Sequence, residues 1–177
     1  MPRKNRKIYK GGVYHIISRG NESRNIFKSY FDYIRFLKIL KEEQENCNIE
    51  IICYCLMPNH IHLMLKLSET NLSLFMYKLL FYYSRWFNIK YNRMGHLFQN
   101  RFKSEVVEDG YYTIELIRYI HLNPCRANLV QHPIDYQWSS FKSLKEQEKD
   151  KIVSNYALGF FSTIKSFEDF IISGLYK

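Results

Sequence analysis

From Asn48 to Leu67 the chain is a nearly continuous run of strand-forming residues, interrupted once, at Met57-Pro58-Asn59. Proline fixes its own φ and offers no N–H, and asparagine tolerates turn geometry, so the run must fold back on itself. It therefore predicts a hairpin of two strands, Asn48 to Met57 and Asn59 to Leu67. The flanking sequence constrains what the hairpin can join. Lys10 to Gly20 alternates around β-branched residues and reads as another strand, while Leu97 to Val107 reads as a fourth. Tyr30 to Glu45 places Tyr33, Phe36, Leu37 and Leu40 at helical spacing, and Asn71 to Tyr91, capped by Asn71 or Ser73, does so with Leu74, Tyr77, Leu80, Phe81 and Ser84. Gly110 to Asn123 reads as a third helix, ended by Pro124, because the residue before a proline disfavours the α conformation.

The order strand, helix, strand, strand, helix, strand, helix predicts an α+β fold: a ferredoxin-like or RRM-like antiparallel sheet packed by helices, with a separate tyrosine-bearing helix. After Asp135 to Leu144, the charged stretch Lys145 to Lys151 reads as a linker, and Tyr156 to Lys177 as a small C-terminal helical appendage. The expected organisation is one domain over residues 1–144, with a basic N-terminal arm, followed by a linker and tail over 145–177. No run approaches the roughly 18 apolar residues of a membrane span, and the basic start leads into Gly11-Gly12 rather than an apolar signal core. A cytoplasmic protein without a membrane partner is expected. Cys47, Cys53, Cys55 and Cys125 match neither a zinc knuckle nor a disulfide framework and are expected as reduced thiols.

Three features bear on chemistry. His60 and His62 alternate along the second hairpin strand, so both imidazoles point to one face about 7 Å apart at Cα and can share one cation. Ile61, Leu63, Leu65 and Leu67 then face the helices, and Lys66 joins the histidines on the open face. In a chain with six histidines such a pair says little alone. On the third helix, Tyr112, Glu115, Tyr119 and Asn123 fall on one stripe, with Ile114, Ile117 and Ile120 opposite. Over the sheet's open face that stripe would bring a hydroxyl and an amide oxygen to the histidines, although Tyr119 could equally pack at a helix edge and Asn123 cap the helix. The third feature is charge. Lys and Arg number 26 against 17 acidic residues, and the stretch from Thr70 to Ser104 has no acid while carrying Lys78, Arg85, Lys90, Arg93, Arg101 and Lys103. With Tyr82, Tyr83, Trp86, Phe87, Tyr91, Phe98 and Phe102 interleaved, it resembles a surface that grips phosphates with cations and bases with aromatic faces. The arm Arg3, Lys4, Arg6, Lys7 and Lys10 would add phosphate contacts.

Three ordered motifs, Met57-Pro58-Asn59-His60-Ile61-His62-Leu63, Leu97-Phe98-Gln99-Asn100-Arg101-Phe102-Lys103 and Arg118-Tyr119-Ile120-His121-Leu122-Asn123-Pro124, resemble those of the REP-associated tyrosine transposases over roughly residues 8 to 144. These are relatives of the single-tyrosine HUH transposases that move insertion sequences as single strands. The resemblance implies that His60 and His62 are metal ligands, Tyr119 the nucleophile and Asn123 the third, helix-borne ligand, at a position where some relatives carry glutamine. Glu115, one turn before Tyr119, is placed to help. The DNA contacts it implies add Arg19, Gln99 and Asn100 to Lys78, Arg85, Arg93, Arg101, Lys103 and the arm. Ser139-Ser140 after Trp138 also matches a pattern near the end of such domains.

The implied function is a metal-dependent single-stranded DNA endonuclease and strand-transferase that forms a 5′-phosphotyrosine, acts on hairpin-forming repeats and uses Mg2+ or Mn2+ as monomer or homodimer. Two imidazoles tilt the preference toward manganese. Two other readings stay open: a non-catalytic single-strand or RNA-binding module of RRM-like fold, and a metal-dependent hydrolase whose nucleophile is water.

Overall fold

The computed structural model describes residues 8–69, 71–148 and 152–176. Arg3, Lys4, Arg6 and Lys7 therefore lie outside the described residues. Four strands, β1 (Val13–Arg19), β2 (Ile49–Met57), β3 (His60–Leu67) and β4 (Lys103–Val107), form one antiparallel sheet in the order β2-β3-β1-β4. The helices are α1 (Tyr30–Asn46), α2 (Leu72–Lys90), α3 (Gly110–Arg126), α4 (Phe141–Lys145) and α5 (Ile164–Ser173). Two split βαβ units interleave to give this strand order, so the ferredoxin-like α+β expectation holds.

The hairpin turns at Pro58-Asn59, and the turn is held from outside. The Pro58 carbonyl accepts the Ile26 and Phe27 N–H groups, and the Asn59 carbonyl accepts the Gly20 N–H at 2.8 Å. Gly20 is needed at this crossing, because a Cβ there would lie 2.2 Å from the Arg24 carbonyl oxygen.

Side-chain alternation divides the sheet. Ile61, Leu63, Leu65 and Leu67 are fully buried on the face covered by α1 and α2, together with Tyr14 and Ile16 of β1. The opposite face is not open as the sequence led one to expect. α3 packs across β2 and β3 on that side, and Phe141 and Phe167, from α4 and α5, fill the space behind it around His121. The part of this face around His15 and Ile17 reaches a cleft.

Three element predictions need correction. α3 does not stop before Pro124 but runs to Arg126, because a proline so near the helix end removes just one backbone bond in the final turn. Asn123 is thus no cap; Ala127 is, donating its N–H to the Asn123 carbonyl. The strand expected from Leu97 is shorter, since residues 97–102 leave the ladder and wrap the end of β1 through the bonds from Gln99 N–H to Arg19 O and Asn21 N–H to Leu97 O. In α2 the buried stripe is Leu72, Phe75, Met76, Leu79, Tyr83 and Phe87, whereas Leu74, Tyr77 and Phe81 of the expected stripe are exposed. A helix apolar on both sides carries no unambiguous face in its sequence.

Trp138-Ser139-Ser140 closes the outer edge of β2. Leu56 donates to the Trp138 carbonyl at 2.9 Å and Ser140 N–H to the Tyr54 carbonyl at 3.0 Å, so the segment pairs like a short extra strand. The Trp138 ring stacks on Tyr33 of α1 at 4.2 Å. The Ser140 hydroxyl accepts the Tyr54 N–H at 2.9 Å and lies 3.0 Å from Nε2 of fully buried His121 on α3. Burial pulls the His121 pKa down to about 3, so the ring is neutral. Nε2–H donating to Ser140 leaves only a lone pair, not a stranded N–H, on the unpartnered Nδ1.

The start of α1 is tied to the end of α2 at Asp32, which is fully buried. Its carboxylate accepts the Lys28 and Ser29 N–H groups, the Tyr91 hydroxyl at 2.8 Å and the Lys90 ammonium at 2.5 Å. Burial pushes its pKa up, but these donors outweigh burial and hold it below the usual carboxylate value. All four cysteines are unpaired, with Cys47, Cys53 and Cys55 buried, and burial raises the thiol pKa of each. Among the described residues no helix is long and apolar enough to cross a membrane. Asp32→Ala should lower the unfolding free energy by about 2–4 kcal/mol through loss of a buried, multiply bonded charge, measured as a drop in the urea midpoint.

Candidate functional site

The register of β1 against β3 builds the site. Ile17 stands opposite His62, Arg19 opposite His60, and His15 opposite Met64, so these side chains share one face. His60 and His62 have ring centroids 5.0 Å apart. Each is held through Nδ1. His60 Nδ1 lies 2.6 Å from Asn59 Oδ1, which can only accept, so the ring proton sits on Nδ1 and the Nε2 lone pair is left available. His62 Nδ1 lies 3.0 Å from His15 Nε2, with the two rings nearly parallel at 13° and their centroids 5.3 Å apart. Donation from His62 Nδ1–H to His15 leaves the His62 Nε2 lone pair available in the same way. Metal-bound histidines are fixed by this kind of second hydrogen bond.

Burial, then the positive charge of Arg19, lowers the His60 pKa to about 4. Burial, followed by His60, His15 and Arg19, lowers that of His62 to about 3. Burial lowers His15 as well, partly offset by Glu105. At neutral pH all three rings are uncharged, the state in which imidazole donates to a cation without first losing a proton.

Tyr119 reaches this group from α3. Its ring meets His62 edge-on at 5.6 Å and His15 at 6.3 Å, and the Arg126 guanidinium lies 5.4 Å from the ring centroid. The tyrosine is 38% exposed and opens into a cleft of about 460 Å3 that Tyr112, Glu115, Arg118, Arg126, His15 and Glu105 also line. Glu115 is paired with Arg118 inside that cleft. Asn123 sits one turn beyond Tyr119, half-buried, and its Nδ2 donates to the Tyr119 carbonyl at 2.9 Å, so its hydrogen bond runs along the helix. Among the described residues no group of three or more His, Cys, Asp or Glu side chains is placed to hold a metal. A cation here would rest on the two Nε2 atoms and on oxygen donors.

The residues expected to meet DNA separate into two sets. Arg19, Gln99, Asn100, Arg101 and Lys103 line one cleft beside His60. Lys10 pairs with Glu69 at 2.7 Å, Lys78 lies 3.5 Å from Glu43, Arg93 lies over Phe87 at 5.7 Å, and Arg85 is exposed on α2, away from that cleft. The aromatic stretch is largely core: Tyr83 and Phe87 are fully buried, Phe102 nearly so, and Trp86, Tyr91 and Phe98 half-buried, while Tyr82 is exposed.

Sequence reasoning missed His15, Asn59 in its contact with His60, and Arg126. The available signal for His15 was a lone imidazole in a strand otherwise fit for the sheet centre, where a buried polar ring needs a partner.

A family model described as "Transposase IS200 like" matches residues 9–123. A curated Haemophilus influenzae protein assigned as a REP-associated tyrosine transposase is 29% identical over 150 residues, covering 77% of this chain and 83% of its own. A solved structure of a REP-associated tyrosine transposase bound to a REP hairpin superposes with a TM-score of 0.71 at 18% identity, covering 87% of this chain and 91% of that one.

Because His62 and His121 are buried neutral, the unfolded chain takes up protons at each below its ordinary pKa near 6.5, before the folded chain does. Stability is therefore fully present above about pH 6.5 and is lost as pH falls toward about 3, with a limiting slope of about 1.4 kcal/mol per pH unit for each histidine. Urea midpoints between pH 7.5 and 4.5 should fall accordingly, and His121→Gln should flatten the fall; a pH-independent midpoint contradicts the buried neutral assignment.

Proposed function

The chain belongs to the IS200-like transposase family, and on that footing we propose that it cleaves and rejoins single-stranded DNA through a 5′-phosphotyrosine on Tyr119. The observation that carries this reading is the convergence of the Tyr119 ring with His62 and His15, beside two imidazoles whose Nδ1 atoms are both hydrogen-bonded, so that with the ring protons on Nδ1 both Nε2 atoms would face a cation. That donor set fits a divalent cation, with His60 and His62 as nitrogen ligands and the Asn123 amide oxygen as a third, on rotation of its amide away from the Tyr119 carbonyl. Bound there, the cation supplies Lewis-acid polarisation of the scissile phosphate, and two imidazoles favour Mn2+ while Mg2+ remains the oxygen-preferring alternative.

The side chains carry the rest. Tyr119 Oη forms the new bond to phosphorus as the bond to the 3′ oxygen breaks, leaving a free 3′-hydroxyl and a tyrosyl phosphodiester of similar energy. Another 3′-hydroxyl can then attack it in reverse. Glu115, one turn earlier and oriented by Arg118, is assigned as the helper that receives the phenolic proton, and Arg126 brings positive charge to the nucleophile. Arg19, Arg101 and Lys103 hold the strand's phosphates beside His60. Hairpin-ended DNA is the proposed substrate, consistent with the REP hairpin in the structural relative.

A binding module of RRM type would need aromatic rings on the strand face, and the corresponding positions here carry His15, His60 and His62. Water as nucleophile would leave Tyr119 without a reason to converge on the histidines. Incubated with a labelled single-stranded hairpin oligonucleotide and Mn2+ or Mg2+, the protein should form a denaturant-resistant adduct that Tyr119→Phe abolishes. An undiminished adduct in that variant, or none with any hairpin substrate, overturns the assignment. Independently of activity, Mn2+ should raise the melting temperature of the wild type but not of His62→Ala; at 100 times Kd the stabilisation expected is about 2.7 kcal/mol.

A further inference from the structure

α2 exposes an aromatic pair that the core does not need. Tyr77 is 62% and Phe81 45% exposed, and their rings stack on each other at 5.5 Å and 17°. They form one wall of a groove of about 630 Å3, floored by Met76 and Leu80 and closed by the 95–102 segment with Phe98 and Arg101. An exposed apolar surface of this kind marks a binding site more often than chance placement.

Two observations identify the occupant. Gln99, Asn100 and Arg101 line this groove and also the cleft with Arg19 and Lys103, and that cleft shares Ile17 with the one into which Tyr119 opens. Groove, phosphate cleft and tyrosine cleft therefore adjoin through shared lining residues around the β1 edge. The groove walls come from residues 73–102, a stretch with no acidic residue, so the surface is complementary to a polyanion with flat apolar bases. A second copy docked symmetrically would bring Arg101 to this surface with no acidic side chain in the groove lining to pair with it.

We propose that the Tyr77/Phe81 groove is a base-stacking subsite for unpaired nucleotides flanking the cleaved phosphate, held in register by Arg101. The subsite rests on the single-strand reading above. It extends the DNA contacts beyond the basic cleft to the helical side of the sheet edge, and its recognition is by ring faces rather than by hydrogen bonds to base edges.

The test uses the full chain carrying Tyr119→Phe, without metal, so that binding is read apart from cleavage. Fluorescence anisotropy compares a DNA hairpin bearing a single-stranded extension with the blunt hairpin. Tyr77→Ala/Phe81→Ala should weaken binding of the extended hairpin about tenfold, which corresponds to about 1.4 kcal/mol, and leave the blunt hairpin unchanged. Tyr77→Phe/Phe81→Tyr, which keeps both ring faces, should bind as the parent does, and so should Leu74→Ala, an equally exposed apolar change. Photocrosslinking from iododeoxyuridine in the extension should label Tyr77 or Phe81. Equal affinity of the alanine variant for the extended hairpin overturns the subsite and leaves the groove to a second copy, visible by light scattering, or to an acidic peptide. Failure of the parent to bind either oligonucleotide overturns both the subsite and the single-strand reading. A groove effect without any Tyr119 adduct keeps the subsite and removes only the phosphotyrosine chemistry.

Discussion

The antiparallel pairing of β1 with β3 sets Ile17 across from His62 and Arg19 across from His60, and that register orders everything around it. Because side chains alternate with a period of two, a slip of one residue would send His60 and His62 into the α1/α2 core and turn Ile61 and Leu63 toward the cleft. The register is locked at both ends. At one end the Asn59 carbonyl holds the Gly20 N–H, and at the other Leu67 exchanges bonds with Gly11 and Gly12. The cost of stranding a leucine-rich face in the cleft gives this lock its strength, so the hydrophobic pattern and the position of the imidazoles are one constraint.

Much of this was legible from the sequence. Pro58-Asn59 forces the hairpin, alternation puts both histidines on one face, and helical spacing puts Tyr112, Glu115 and Tyr119 on one side of α3; these are local periodicities that survive folding. What escaped were relations between distant segments. His15 meets His62 across 47 residues, and nothing in the strand containing His15 advertises that partner. The Trp138-Ser139-Ser140 segment lacks any periodicity, since its job is to pair with the β2 edge and reach His121, and both depend on tertiary placement. The buried face of α2 is illegible for a different reason: the helix is apolar around most of its circumference, so the choice of buried stripe falls to shape complementarity with α1 and the sheet. Pro124 does not end α3, because the rule against proline weakens in a final turn whose carbonyls already look outward for partners.

Charge and burial act in opposite senses across the molecule. The sheet face near His60 is desolvated enough to keep three imidazoles neutral, while Arg19, Arg101 and Lys103 at its border stay exposed. On the proposed reading, a phosphodiester approaching that border would gain cationic contacts before reaching the buried nitrogen donors. The arrangement separates the groups that attract the strand from those that would act on it.

The Ser140 hydroxyl adds a polar link to the packing of α3 on β2, bonding the β2 edge through Tyr54 and the tyrosine-bearing helix through His121. A rotation of α3 against the sheet would break one of those bonds, so this oxygen helps fix the setting of the helix above the strands. For any chimera that exchanges the helix between relatives, a crossover between His121 and Ser140 would take the two partners of this bond from different parents. The inheritable unit of this site is thus longer than the helix that displays its tyrosine.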